Sequence, residues 1–240
     1  MSCDEAVLWE RLNNVRKAPL EPKWLGEVYS LSLSADLRKA LAEQLGLLAD
    51  QGWITLKVLL KQHGKQPELI HAAGLCHQPQ ARDWLIQQLE DGKELELKVL
   101  QALTCWGAIL PSSLLKAILS EPSEAMRLAG LELLSFKAYQ LNDDDLLNLS
   151  EELLNDIRER VVLATIHLLQ RRDGVAISNR IAEVARQGSK NTARAALLAL
   201  GCIGTPSSQS NLTNLSQSLP NGPNRDLAIK QLTLQYRSQS

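Results

Sequence analysis

A small residue recurs inside helical patterns at intervals of about thirty residues along most of this 240-residue chain. Seven such positions, called anchors below, are separated by 32, 30, 27, 35, 31 and 33 residues. Each is followed four positions later by a larger or apolar residue, so the two share one helical face. A two-helix unit of this length cannot bury its apolar face alone, and it has to stack against copies of itself. The anchors are Ala40, Ala72, Ala102, Ala129, Ala164, Ala195 and Ala228.

The clearest unit runs from Ala193 to Leu219 and predicts a helix, a break and a second helix. Gly201 and Gly204 loosen the end of the first helix. Pro206 suits the first turn of the next helix, because its missing N–H would be unpaired there anyway. Similar breaks follow other anchors, which predicts a series of helix pairs.

Composition favours the same fold class, since aromatic residues make up only 4% of the chain and no stretch alternates like a strand. We predict an all-α fold, an α-solenoid of about six to seven helix pairs. Residues 1–34 should form N-terminal capping helices, and residues 35–240 one continuous, elongated repeat domain. The five tryptophans and the four cysteines should lie mostly in the core.

The sequence also predicts the compartment. Its longest apolar run, Ala195–Gly204, is about half of what a membrane-spanning helix needs. The first ten residues carry acids and resemble neither a secretory signal nor a transit peptide. We therefore expect a soluble, cytoplasmic protein with no membrane span.

The run ALGCIGTPSSQSNLTNL, Ala199–Leu215, resembles a motif of HEAT-like repeats, in particular those of the cyanobacterial phycobilin lyases. His71–Leu89 is a looser copy. Thr205 and Ser208 stand where that family usually has Asp and Ala. The resemblance covers roughly Ala35–Tyr236. It implies HEAT-like helix pairs that hold an open-chain tetrapyrrole (a bilin) or a phycobiliprotein subunit while a thioether forms, with the reacting Cys on the client.

One stripe of the anchor helices predicts a binding groove. Positions one before and three after each anchor lie four apart, hence on one side of the helix. This stripe mixes polar and apolar residues, as a ligand or partner groove does, although a half-solvated edge without a ligand gives the same pattern. Its polar members are Lys39, Glu43, His71, Gln101, Cys105, Glu132, His167, Arg194 and Gln231.

The span 158–194 is basic, with eight Arg or Lys residues against three acids and a net charge of about +5. Arg158, Arg160 and Arg194 are candidate ligands for anionic groups, such as carboxylates of a ligand or an acidic partner protein. A solvated helical surface is the alternative. Upstream, Asn142 and Asp143–Asp145 predict the start of a helix, where N-caps and negative charge are favoured.

Other chemistries find little support in the sequence. His63, His71, His77 and His167 form no i, i+4 pair, and the His–Glu dipeptides of the HEAT-like deoxyhypusine hydroxylases are missing, so no metal site is predicted. A HEAT-like DNA glycosylase needs a basic concave face, which a net charge of −1 disfavours, so nucleic acid is not an expected partner.

The leading hypothesis is therefore a HEAT-like repeat binding protein of the phycobilin lyase type, without a resident cofactor but with a bilin as transient ligand. Glu132 and His167 are candidates to move protons, and whether the chain is an enzyme stays open. Its expected partner is another protein along the concave groove: a phycobiliprotein subunit or a second lyase subunit. The alternative is a non-catalytic interaction scaffold or assembly chaperone.

Overall fold

The computed structural model describes residues 5–14, 19–91 and 95–237, which contain α-helices, three short 3-10 helices and no strand. The prediction of an all-α, solenoid-class fold is confirmed. The helices are α1 (Glu5–Asn13), α2 (Pro22–Val28), α3 (Ala35–Leu47), α4 (Ala49–His63), α5 (Pro67–Leu75), α6 (Pro79–Asp91), α7 (Leu97–Ala102), α8 (Ser112–Leu119), α9 (Glu124–Lys137), α10 (Asp143–Ser150), α11 (Glu159–Leu169), α12 (Val175–Gln187), α13 (Lys190–Ile203), α14 (Pro206–Ser218) and α15 (Pro223–Arg237).

The chain divides into two compact units, residues 1–106 and 107–240. In each unit the odd-numbered helices pack against one another, and the even-numbered helices cover one side of them. Every anchor lies in an odd-numbered helix, from Ala40 in α3 to Ala228 in α15, so we call these the anchor helices. The periodicity of the sequence thus predicts which helices share a layer. The continuous domain expected for residues 35–240 stays a prediction.

In the first unit α5 packs between α3 and α7, while α1 packs on α3 and α2 on α4. Leu37, Leu41 and Leu69 are fully buried at this interface. The helices approach closely at Gly74, where a Cβ would lie 2.9 Å from the Cα of Ala102. A side chain at this position would therefore push two backbones apart.

In the second unit the anchor helices α9, α11, α13 and α15 follow one another, and α8, α10, α12 and α14 form the second layer. The break that the sequence predicts lies between α13 and α14, and Pro206 begins α14 as expected. Gly204 ends α13 with a left-handed φ of 69°, and Thr205 caps α14 by accepting a hydrogen bond from the Ser208 N–H. The predicted start of α10 is also confirmed, because Asn142 accepts from the Asp145 N–H at 2.8 Å.

Polar side chains tie the amino ends of neighbouring anchor helices together, and we call these ties the amino-end contacts. One of them centres on the buried carboxylate of Asp156, which accepts hydrogen bonds from Arg127 at 2.5 Å and from the Arg158 Nε at 2.8 Å. The others join Glu5 to Ser34, Arg38 to Glu68, Lys65 to Glu96, Glu124 to Arg160, and Glu159 to Ser189 and Asn191. Because each contact links two amino ends within one unit, the helices that it joins run in the same direction.

Two core expectations need correction. Of the tryptophans only Trp53 is buried, at 3% exposure, whereas Trp9, Trp24, Trp84 and Trp106 are half-buried. Their rings lie at the edge of the helices, where Arg11 covers Trp24 with its guanidinium 3.8 Å from the ring centre. An amphipathic ring gains burial at such an edge without having to fit a close-packed interior.

The expectation for the cysteines also needs correction. Cys76 is buried, but Cys105 and Cys202 are exposed, and Cys3 lies outside the described residues.

Three anchors, Ala40, Ala164 and Ala195, are half-buried rather than closely packed. They lie at the border between the buried side of their helices and the solvent-facing stripe. No helix among the described residues is long and apolar enough to cross a membrane.

Candidate functional site

Seven of the nine predicted groove residues share the solvent-facing side of the anchor helices, which we call the anchor face of each unit. Lys39, His71, Gln101, Glu132, His167 and Arg194 are exposed, and Glu43 is half-buried. Even-numbered helices cover the opposite side, so the amphipathic pattern of each anchor helix directs these side chains outward. The structure gathers several of them into two shallow depressions, one in each unit.

The depression of the first unit encloses about 370 Å³ on the anchor face of α3, α5 and α7. Lys39, His71 and Gln101, which come from three successive repeats, all line it. Glu43 lies 3.8 Å from both the Lys39 Nζ and the His71 Nε2, and so holds these two groups at neighbouring positions. The sequence reasoning missed Lys98, which also lines this depression and forms no ion pair with any described residue.

One wall of this depression is held by a network below the surface. Glu68 accepts hydrogen bonds from the Arg38 Nε at 2.7 Å and the Tyr29 hydroxyl at 2.9 Å. Burial raises the pKa of the Glu68 carboxyl, but these hydrogen bonds outweigh burial, and the pKa lies below its usual range. Burial and the neighbouring Glu68 raise the pKa of Tyr29. Glu68 therefore serves the fold as a charged acceptor, which leaves ligand recognition to the outer residues.

The depression of the second unit lies between α9 and α11 and has a volume of about 310 Å³. Its floor is apolar, with Leu131 and Leu168 only 4% and 7% exposed. Its polar rim brings together the two candidate proton carriers, Glu132 of α9 and His167 of α11. The described residues that line it are Leu128, Leu131, Glu132, Ser135, Ala164, His167, Leu168 and Arg171.

The His167 ring is oriented by its own helix. The Gln170 side-chain nitrogen lies 3.2 Å from the His167 Nδ1. An amide nitrogen donates and does not accept, so with Gln170 in this orientation the Nδ1 is the acceptor, which favours the neutral tautomer with its proton on Nε2. In this tautomer His167 offers a ligand a hydrogen-bond donor.

The three arginines predicted to bind anions occupy different environments. Arg158 bonds to Asp156 and to the Pro122 carbonyl, so its donors serve an amino-end contact. Arg160 is 77% exposed but pairs with Glu124 at 2.9 Å. Arg194 is exposed and forms no ion pair with the residues that the structure describes. The structure does not gather the three into one patch, and only Arg194 keeps an uncommitted guanidinium.

The last two groove candidates are displaced from a regular stripe. The α-helix α7 ends at Ala102, and Cys105 lies in the following 3-10 helix, Thr104–Ile109, so Gln101 and Cys105 do not occupy successive turns of one α-helix. Gln231 of α15 packs against Gly201 of α13, since a Cβ on Gly201 would lie 2.8 Å from the Gln231 Cδ. Gln231 therefore covers a glycine at a helix contact.

Arg171 and Ser135 are lining residues that the sequence reasoning did not place in the groove. Ser135 lies three residues after Glu132, and Arg171 four after His167. The same i, i+3 and i, i+4 rule that gave the stripe would have found both, had it been extended one turn beyond each anchor. In the sequence, Arg171 stands out only as one of the basic residues of the span 158–194.

Metal and thiol chemistry gain no support from the described residues. They contain no group of three or more His, Cys, Asp or Glu side chains that could hold a metal ion. Burial raises the pKa of the Cys76 thiol to about 12, so this thiol stays protonated and unreactive at neutral pH. The exposed Cys105 and Cys202 lie in different units.

No protein-family model and no curated protein matches this sequence. Among solved structures, the chain is similar to the complex of CpcE and CpcF of phycocyanin lyase from Nostoc sp. PCC7120. The identity is 17% over 90% of this chain and 95% of that chain, and the TM-score is 0.46. Human deoxyhypusine hydroxylase in complex with glycerol has 16% identity over 98% and 91% of the two chains, with a TM-score of 0.42.

An engineered protein has 13% identity over 95% of this chain and 71% of that chain, with a TM-score of 0.49. All three scores are low and the three proteins differ in what they do, so none of them decides a function. The fold assignment rests on the helices of this chain. Its helix pairs, with anchors about one repeat apart in alternate helices, make the protein an all-α, HEAT-like α-solenoid.

Proposed function

We propose that this protein is a HEAT-like binding protein of the phycobilin lyase type, which holds a bilin or a phycobiliprotein subunit on its anchor faces during chromophore attachment. The observation that carries the proposal is the gathering of predicted groove residues into two depressions. Glu132 and His167 are 35 residues apart in sequence, yet they line the same depression. The family resemblance of Ala199–Leu215 supplies the ligand class.

The chemistry of the two depressions suits an open-chain tetrapyrrole. Such a ligand combines apolar rings, N–H groups and carboxylates. The second unit offers an apolar floor of leucines with Glu132 as an acceptor and His167 as a donor. The first unit offers Lys39 and Lys98 as cationic donors. In this mechanism the protein binds and orients the bilin, and the nucleophilic thiol belongs to the client.

The test is a titration of the purified protein with phycocyanobilin, followed by visible absorbance. Binding in a fixed conformation should shift and sharpen the long-wavelength band. His167→Ala and Glu132→Gln should weaken this response. Arg186→Gln, a change on the even-numbered helix α12, should leave it unchanged. An unaltered pigment spectrum with the folded wild-type protein would refute the bilin-binding function.

A non-catalytic scaffold is the second candidate, and apolar residues on the anchor face favour it. Leu198, one turn after Arg194 on α13, is 38% exposed. Such a pairing of an exposed leucine with an uncommitted arginine suits an acidic amphipathic partner surface. The discriminating measurement is binding of a purified apo-phycobiliprotein subunit without bilin, by size-exclusion chromatography.

Arg194→Glu and Leu198→Asp should abolish the complex with the apo-subunit, and Arg186→Glu should preserve it. A stable complex combined with an unaltered bilin spectrum would favour the scaffold. If Arg194→Glu and Arg186→Glu bind the subunit equally well, the anchor face of α13 is not the contact.

A further inference from the structure

The depression between α9 and α11 contains a cation that the fold does not use. Two adjacent arginines follow α11, and they have opposite roles. Arg172 is held in the structure by Asp143 and by the carbonyls of Ala138 and Leu141. Arg171 is exposed, lines the depression and forms no ion pair with any described residue.

The depression has a direction, because the Glu124–Arg160 ion pair joins the amino ends of α9 and α11 and the helices run in parallel. Glu132 and His167 therefore lie near the middle of the groove, and Ser135 and Arg171 lie toward its carboxyl end. The Ser135 hydroxyl donates to the Glu132 backbone carbonyl at 2.6 Å, which leaves only its lone pairs for a ligand. Among the described residues that line this depression, Arg171 is the only arginine or lysine.

The donors of His167 and Arg171 select an acceptor. When the His167 Nδ1 accepts from Gln170, its Nε2–H is a donor on α11, and the Arg171 guanidinium is a second donor four residues later, in the turn that follows α11. A carboxylate accepts from both kinds of donor, and an arginine can bind it through two N–H groups. The buried Leu131 and Leu168 favour an apolar body attached to that carboxylate. Glu132, the acid on the rim, disfavours a second carboxylate at mid-groove.

We infer that the α9–α11 depression is a binding site for an apolar carboxylate, with Arg171 as the principal anion-binding residue and Gln170 as a positioning residue for His167. The inference rests on the proposed function only in that a bilin propionate is one such carboxylate. The side chains of the site recognise a carboxylate attached to an apolar group, and they place no requirement on the rest of the ligand.

The experiment compares matched acids and neutral analogues on the full chain. The probes are 1-pyrenebutyrate against 1-pyrenebutanol, by fluorescence, and phycocyanobilin against its dimethyl ester, by absorbance. The wild-type protein should prefer each acid. Arg171→Gln should weaken binding of the acids about tenfold, the effect of losing a hydrogen bond to a charged group, and leave the neutral probes unchanged. Arg186→Gln is the control of equal charge change on α12.

The outcomes separate the site from the proposed function. Selective binding of pyrenebutyrate through Arg171, with no bilin binding, would retain the carboxylate site and refute the bilin function. Equal binding of phycocyanobilin and its ester would retain the bilin function and overturn the carboxylate site. Equal affinities of Arg171→Gln and Arg186→Gln for pyrenebutyrate would also overturn it.

The positioning role of Gln170 is tested by the tautomer of the His167 ring, which a loss of stability alone would not change. Long-range ¹H–¹⁵N correlation spectra of the imidazoles should show His167 protonated on Nε2 in the wild-type protein. Gln170→Leu should give a mixture of tautomers and weaken binding of the acid probes. A wild-type His167 protonated on Nδ1, or a tautomer unaffected by Gln170→Leu, would overturn the positioning role.

Discussion

Asp156 holds a carboxylate with no exposed side-chain surface between Arg127 and Arg158, and this single residue explains why part of the basic span does not behave as a ligand surface. In the sequence, residues 158–194 have an excess of positive charge, because Asp156 lies just before this span. Arg127 is a whole repeat away and outside it too. Only the three-dimensional structure pairs them, so the sequence could predict the charge but not its use.

Asp156→Asn should lower the free energy of unfolding by about 3 kcal/mol at pH 7, because it leaves two partly buried guanidinium groups without their counter-charge. Burial raises the pKa of Asp156, but the hydrogen bonds from Arg158 and Arg127 outweigh it and lower the pKa below its usual range. The stabilisation is therefore present above the carboxyl pKa of the unfolded chain and lost as pH falls through the lower folded pKa.

Urea denaturation at pH 7, 5 and 3 checks this prediction. The difference between the wild type and Asp156→Asn should be largest at neutral pH and shrink below about pH 4. Glu152→Gln, an exposed carboxylate nearby, is the control and should change stability little at any pH. A difference that does not depend on pH would contradict the ion-pair explanation.

Gly74 and Gly201 are both helical glycines at contacts between anchor helices, but their neighbours differ. A Cβ on Gly74 would meet the Ala102 backbone, which cannot move aside, and Gly74→Ala should cost about 1–3 kcal/mol. A Cβ on Gly201 would meet the end of the Gln231 side chain, which can rotate away. Thermal melts of the two variants should therefore separate, with Gly201→Ala near the wild type.

At the scale of the helix, local chemistry predicted the ends well. Asn142 caps α10 and Pro206 begins α14, as the sequence predicts, because N-cap and first-turn preferences need no information from the rest of the fold. The early end of α7 at Ala102 could not be predicted in this way. In the 3-10 helix that follows, Gly107 packs against the backbone of Leu133, a contact between residues 26 apart.

The anchor helices also show what periodicity cannot settle. A repeat of small residues predicts which helices stack. It does not predict whether a given small residue lies at the helix contact or at the surface. Ala199 is fully buried, whereas Ala164 is half-buried at the edge of the α9–α11 depression. The stripe singled out Glu132 and His167, whereas only the structure shows that Arg171 lines the same depression and that the buried Leu131 and Leu168 form its floor.

Ala164→Leu should fill the α9–α11 depression without crowding the core. Its effect on the free energy of unfolding should stay within about 0.5 kcal/mol, and it should weaken pyrenebutyrate binding severalfold. Ala199→Leu should do the reverse, because added volume in a packed interface costs about 1–3 kcal/mol. Equal destabilisation by the two substitutions, measured by urea denaturation, would show that Ala164 is a packing residue after all.

At the scale of the molecule, the two compact units differ in their spectroscopic content. All five tryptophans lie in residues 1–106, so tryptophan fluorescence reports on the first unit alone, whereas far-ultraviolet circular dichroism reports on helices throughout the chain. In repeat proteins a local destabilisation acts most strongly on near neighbours. Asp156→Asn should therefore lower the circular-dichroism midpoint in urea more than the fluorescence midpoint. Equal shifts of both would indicate that the units unfold together.

The amino-end contacts have a consequence for how such a chain can be rearranged. Each contact joins a donor and an acceptor in adjacent repeats, and both the chemical groups and the direction of donation change between junctions: Arg38 donates forward to Glu68, whereas Ser189 donates back to Glu159. Deleting, duplicating or transplanting a single helix pair would therefore create junctions whose charged groups have no match. Because the polar groups at each junction match only one neighbour, the repeats that these contacts join cannot be interchanged.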